Sequence, residues 1–403
     1  MKKYAYEARD SADNKIVRST VQAESESSAA KLLTAQGFIP LKIELDDEKS
    51  GFFRRLSGRI TTKDKIVFTR QLATLIGAGL PLAQSMRTVL DQTTNKRMQE
   101  VVQDVIVDIE SGKTLSDAFS KHPEVFDKVF IALVTAGEAS GTLDDALRRV
   151  AAQQEKDAAM MSKIRGALTY PIIVLVVILL VVAFMLITVV PQVENLYKDL
   201  HKELPLITQI MVNVANFFMS FWWLVLIVLC VGGYFFMQYL KTDSGIRNKD
   251  LFKLNVPMFS GMFRKLYMAR FSRTGQTLLS TGVAMLDMLH ISSEAVNNTI
   301  IGETIERAAD RVKGGKALST SLKDEEYILE MVPQMINIGE QSGKIDDMMG
   351  KCAQIYEDEL DEEIKAISTA IEPVLMVVLA IVAGGMVGAI LFPIYSLVNG
   401  INL

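Results

Sequence analysis

Three stretches of the chain, residues 166–193, 204–240 and 373–403, contain no Asp, Glu, Lys or Arg, although the 403-residue sequence carries 43 Lys+Arg and 47 Asp+Glu. An apolar helix needs about 20 residues to cross the roughly 30 Å hydrocarbon core of a bilayer, and each stretch is long enough. Everything outside them is as polar as a soluble protein. A fully soluble enzyme has no use for three such stretches, and a many-helix channel would not leave most of its length so charged. The net charge of −4 offers no basic footprint for nucleic acid.

Within these stretches the spans are placed at Ile172 to Val190, Phe217 to Tyr239 and Pro373 to Phe392. Tyr170-Pro171 and Glu372-Pro373 open the first and third, Pro191 closes the first, and Trp222, Trp223, Tyr234 and Tyr239 suit an interfacial belt on the second. Orientation follows from basic residues near the span ends. Lys156, Lys163, Arg165, Lys241, Arg247, Lys249, Lys253 and Lys365 flank one side, against Lys198 and Lys202 on the other. The N-terminus and both large polar regions are therefore expected in the cytoplasm, and the 191–216 loop and C-terminal tail outside it. No span holds Asp, Glu, Lys, Arg or His, which argues against an ion path or proton relay. Ala380, Gly384 and Gly388 form a small-residue stripe on the third span, suited to membrane-helix packing.

The polar regions contain an internal repeat. FTRQLATLIGAG (68–79) aligns with FSRTGQTLLSTG (271–282), SGKTLSDAF (111–119) with GGKALSTSL (314–322), and GEASGTLDD (137–145) with GEQSGKIDD (339–347). Glu155 then matches Glu357, and Pro171 matches Pro373. Two copies of one module each lead straight into a membrane helix. Leu72, Leu75 and Ile76, or Ile305, Ala308, Ala309 and Val312, recur at helical spacing, and Gly112, Gly315, Gly141 and Gly343 suit left-handed helix ends. Thr142-x-x-Asp145 resembles a capping box. Each copy is expected to be a bundle of five or six helices whose last helix runs on toward its span.

The first residues differ. Tyr4 to Ala8, Ile16 to Val21 and Pro40 to Leu45 read as strands, and a helix from Ser25 to Ala35 ends at Gly37. The opening MKKYAYEARDSADNK has no apolar core, so no cleavable signal peptide is expected. The expected fold class is mainly α: a polytopic membrane protein with three transmembrane helices, two repeated cytoplasmic helical bundles and a small N-terminal α/β module. Its divisions are 1–46 for the α/β module, 47–61 for a linker, 62–171 for the first bundle, 172–190 for the first span and 191–216 for the outer loop. The second span (217–239), second bundle (240–372), third span (373–392) and tail (393–403) follow.

Catalytic and cofactor chemistry is sought and none is expected. Ser111-Gly112-Lys113-Thr114 resembles the end of a P-loop, but Val107 stands where the motif needs glycine. His122, His201 and His290 lack ligand or triad partners at a useful spacing, and Cys230 and Cys352 read as reduced and unpaired. The repeated polar constellation is acidic: Glu138 with Asp144 and Asp145, Glu340 with Asp346 and Asp347. Such clusters serve either to bind a basic partner or an oxygen-ligated divalent ion, or to offset a helix macrodipole. Glu138, Asp144, Glu340 and Asp346 are the candidate partner-binding residues.

The order of these motifs, with Ala167-Leu168-Thr169-Tyr170-Pro171 at the mouth of the first span and Val190-Pro191 at its exit, resembles the inner-membrane platform proteins of type II secretion and type IV pilus machines, the GspF/PilC family. The resemblance covers nearly the whole chain. It implies a non-enzymatic membrane component around which pilin-like subunits are assembled. The implied partners are a hexameric secretion or assembly ATPase docked on the cytoplasmic side, other inner-membrane assembly proteins, pilin or pseudopilin transmembrane helices, and further copies of the chain. Phe68-Thr69-Arg70-Gln71 is closer to the pilus branch. A static scaffold, or a small-molecule transporter subunit, is the alternative. The second copy departs at Thr274-Gly275 and at Val283-Ala284-Met285, so the two bundles are not expected to share one role.

Overall fold

The computed structural model describes residues 2–10, 16–23, 28, 30, 32, 34, 38–45, 59–199 and 206–399. These fall into two compact units, residues 1–65 with 90–104 and residues 66–89 with 105–403.

In the first unit, β1 (Lys2–Asp10) is the central strand of a three-stranded antiparallel sheet, flanked by β2 (Ile16–Ala23) and β3 (Phe38–Leu45). Tyr4 pairs with Val21 on one side and Leu45 on the other, and a register shift at Glu7/Ala8 accommodates Pro40, which has no N–H to donate. Ser28, Ala30, Leu32 and Thr34 are helical, within the segment expected to be a helix. The expected helix end at Gly37, the β1–β2 turn, and the linker as far as residue 58 with Phe52 to Leu56 lie outside the described residues.

The repeat is visible as two matching series of helices. Copy one comprises α1 (Thr62–Gly77), α2 (Leu82–Gln92), α3 (Lys96–Glu110), α4 (Leu115–Ser120), α5 (Lys128–Ser140) and α6 (Leu143–Asp199). After α7 (Leu206–Tyr239) and α8 (Asp243–Asn255), copy two comprises α9 (Ser260–Ser280), α10 (Met285–Ala295), α11 (Thr299–Lys313), α12 (Leu318–Leu322), α13 (Met331–Ser342) and α14 (Ile345–Asn399). The same turns carry left-handed glycines in both copies: Gly79 and Gly282 (φ 84° and 85°), Gly112 and Gly315 (both 89°), Gly141 and Gly343 (75° and 68°). A side chain at any of these would be strained, which is why the motif keeps glycine there.

Copy one packs on an aromatic cluster. Phe68, Phe119, Phe126 and Phe130 are each at most 2% exposed, and the Phe119 ring meets Phe130 edge-on at 5.0 Å. At the positions matching Phe68, Phe119 and Phe130, copy two buries Phe271, Leu322 and Val332.

The last helix of each copy is continuous with its span. α6 is 57 residues long and α14 is 55, each about 85 Å at 1.5 Å per residue. Three helices, α6, α7 and α14, are long and apolar enough to cross a membrane. The prolines do not end them: Pro171 and Pro191 sit inside α6 and Pro373 inside α14. This corrects the expectation that residues 191–216 form a loop. α6 continues to Asp199 and α7 starts at Leu206. In a bilayer no water replaces a broken backbone hydrogen bond, so one lost proline N–H is tolerated where a frayed helix is not. The two ends also pack on each other, with Val190, Val212 and Ala215 buried against Leu186. The α7 axis is interrupted at Phe221 (φ −115°, ψ 21°) instead.

Candidate coupling site between the bundles and the membrane

The two strongest repeated motifs meet in space. The Glu138 carboxylate accepts from the Leu115 N–H at 2.8 Å, the Ser116 N–H at 3.2 Å and the Ser116 hydroxyl at 2.8 Å. Glu340 repeats this on the Leu318 N–H at 2.6 Å, the Ser319 N–H at 3.3 Å and the Ser319 hydroxyl. A carboxylate from α5 or α13 thus caps the short helix α4 or α12, satisfying amides that have no partner within the helix. The other motif positions have equally local reasons. A Cβ on Gly137 would lie 2.5 Å from the Ala146 Cβ, and one on Gly339 would lie 2.7 Å from the Ile345 Cα, so glycine lets consecutive helices touch. Ser140 and Ser342 turn their hydroxyls back to the carbonyls of Ala136 and Ile338.

Glu138 and Glu340 are therefore half-buried and engaged within the chain, whereas Asp144 and Asp346, in the first turns of α6 and α14, are half-exposed beside the exposed Asp145 and Asp347. Replacing Glu340 by Gln leaves one acceptor oxygen for three donors. The expected result is a loss of about 1–3 kcal/mol, read as a lower denaturant midpoint together with faster hydrogen exchange at Leu318 and Ser319. Ser111 to Thr114, the P-loop look-alike, is the α3–α4 turn: Lys113 pairs with Asp108 at 2.7 Å and Thr114 caps α4.

The two copies join along α6. Toward the membrane the joint is apolar: Met160 and Ile164 of α6, Met262 and Leu266 of α9, and Leu360, Ile364 and Ile367 of α14 form one buried cluster. Ala167, Leu168 and Ile371 extend it to the mouths of the first and third spans. Beside this cluster, and farther from the membrane, the joint is polar. Lys156 reaches Glu357 at 3.1 Å, Lys163 reaches Asp361 at 2.5 Å, Arg149 donates to the Ser280 hydroxyl at 2.9 Å and Gln153 bonds both Thr274 and Thr277 at 3.1 Å. Glu357 is shared with Arg273 at 2.8 Å. Beside them a cleft of about 370 Å³ holds Arg270 facing Asp157 at 3.5 Å. Burial pushes the Asp157 carboxyl up despite the Arg270 charge.

This joint explains why copy two departs from copy one. Thr274, where copy one has Gln71, accepts from Gln153. A Cβ on Gly275 would lie 2.2 Å from the Met349 Cε, so a larger residue here would displace the Met349 side chain of α14. The matching face of copy one, lined by Arg70, Thr74, Gly77, Arg148 and Glu155, is an open groove of about 480 Å³. The local sequence does not mark Gln153, Lys156, Lys163 or Arg270 as part of an interface. Lys156 carries one signal, asymmetry between the repeats, since Asp358 stands at its matching position, whereas Lys163 is matched by Lys365.

In the membrane, a Cβ added at Gly384 or Gly388 meets nothing within 4 Å, and Ala380 is exposed. The small-residue stripe has no partner helix among the described residues. Cys352 is buried in the second bundle, where burial pushes its thiol up to about 11, and Cys230 is exposed on the second span.

The family model described as "Type II secretion system (T2SS), protein F" matches residues 68–191 and 271–393, one match per copy, each running from the bundle into its span. The N-terminal domain of the same protein matches residues 1–44. This chain belongs to the type II secretion system protein F family. The chain is 35% identical to the type IV pilus assembly protein PilC of Thermus thermophilus over 99% of both chains, and 36% identical to PilC of Pseudomonas aeruginosa over 91% of this chain and 98% of that one. It is 33% identical to type II secretion system protein F of Xanthomonas campestris over 99% of both. Family membership and three apolar helices make it an inner-membrane platform protein of these assembly systems.

Proposed function

We propose that this platform protein couples a hexameric cytoplasmic ATPase to the insertion or extraction of pilin-like subunits. The observation that carries this is the pair of helices α6 and α14, each uninterrupted from its bundle through the bilayer. A displacement imposed on either bundle has no loop in which to dissipate. The excess of Lys and Arg beside the bundles supports a cytoplasmic location for them and for the N-terminus, with the C-terminus outside. The turns at Asp144-Asp145 and Asp346-Asp347 are the ATPase-facing acids. The stripe Ala380, Gly384 and Gly388 receives a pilin-like transmembrane helix, and the open groove of copy one accommodates other assembly proteins or a second copy. The higher identity to the two PilC proteins supports the pilus branch.

The test is complementation of a strain lacking the protein, with co-purification of the assembly ATPase. Lysine at Asp144, Asp145, Asp346 and Asp347 together is expected to abolish both filament assembly and ATPase recovery while the protein stays at normal level in the membrane. Full ATPase recovery with the four lysines in place would refute this docking surface.

A further inference from the structure

The second span ends at Tyr239 and the chain turns back within three residues, so α8 begins within about 14 Å of the end of a membrane helix. Contacts fix its orientation. A Cβ on Gly245 would lie 1.9 Å from the Tyr239 carbonyl oxygen, and the Asn248 amide donates to the Tyr239 hydroxyl at 2.8 Å. The opposite face of α8 is committed to the second bundle: Asp250 accepts from the Thr299 N–H at 3.0 Å and hydroxyl at 3.1 Å, and Leu254 is fully buried.

At 100° per residue, Phe252 lies on the same stripe as Gly245 and Asn248 and opposite Asp250 and Leu254. It is 68% exposed, with Leu251 beside it at 39% and Met258, held at φ 73°, at 43%. Outside the membrane helices no other described large apolar side chain is as exposed as Phe252, and no others cluster this closely in sequence. Lys249 flanks the stripe, exposed and without an ion pair among the described residues. An apolar edge with adjacent lysine, in register with the end of a span, has the pattern of an interfacial membrane anchor.

We infer that the α8 edge at Leu251 and Phe252, with Met258 of the turn that follows α8, lies in the headgroup region of an anionic phospholipid bilayer, with Lys249 against lipid phosphate. It fixes the height of the second bundle above the membrane independently of α14, so that movement of the bundle must lift this anchor or pivot about it.

The test uses the full chain, with Cys230 replaced by Ala, in nanodiscs of phosphatidylcholine with or without phosphatidylglycerol. A nitroxide is placed at Phe252→Cys or, as reference, at Ile338→Cys, an exposed apolar position on α13. Power-saturation accessibility at position 252 is expected to favour oxygen over a water-soluble nickel complex, with the order reversed at 338. Lys249→Glu is expected to shift position 252 toward the nickel complex in anionic nanodiscs only. Equal water exposure at 252 and 338 overturns the anchor, and so does shielding of 252 from both reagents, which would mean that a protein surface covers it. Position 252 is exposed, so the label leaves folding intact.

Discussion

A flexible segment of about four glycine and serine residues, inserted between Thr169 and Tyr170, is expected to abolish filament assembly without lowering the amount of protein in the membrane. Each glycine costs a helix about 1 kcal/mol relative to alanine, so the insert becomes a swivel. The site lies just beyond Leu168, among the last α6 residues packed on the apolar joint, and both flanking residues are exposed, so neither the bundle nor the span loses a contact. A helical insert of about seven residues is the discriminating control: it preserves helical phase to within about 20° while lengthening α6 by roughly 10 Å. If α6 transmits rotation, the helical insert retains partial assembly and the flexible one retains none. If only distance matters, both fail. Undiminished assembly with the flexible insert would sink the coupling reading, because the continuity of α6 would then serve no purpose in assembly.

That continuity was legible from residue patterns only in part. The three charge-free stretches identify the spans because lipid excludes ionised side chains, and that signal survives averaging over any window. The glycines at 112, 141, 315 and 343 identify helix ends because a left-handed backbone restricts residue choice locally. Pro191 misled because its effect depends on the solvent: in water it favours ending a helix, whereas in a bilayer the helix continues and packs against α7. Local sequence cannot say where a carboxylate points. Glu138 looked like part of a surface acidic cluster, yet it caps amides more than 20 residues earlier in the chain. The joint between the copies was hidden for a related reason. Gln153, Lys156 and Lys163 are ordinary solvent-facing residues on one helix, and only the second copy of the fold turns that face into an interface.

The two halves of that joint should differ sharply in energetic weight. Leu360→Ala is expected to cost about 3 kcal/mol, since Leu360 is fully buried and truncation of such a side chain typically costs about 2–5 kcal/mol in lost transfer energy and residual cavity. The Lys163–Asp361 pair, about half and one-third exposed on its two sides, should contribute under about 1 kcal/mol, because water screens it and two side chains lose freedom to form it. The polar half thus sets which faces meet, and the apolar half holds them. Denaturant unfolding in mild detergent, followed by hydrogen exchange in α6 and α14, separates the two. Leu360→Ala should lower the midpoint and raise exchange on both helices around Ile164 and Ile364, whereas Lys163→Ala should leave the midpoint nearly unchanged. Exchange confined to α14 would mean that α6 does not depend on the cluster, and that the bundles move as separate bodies on separate helices.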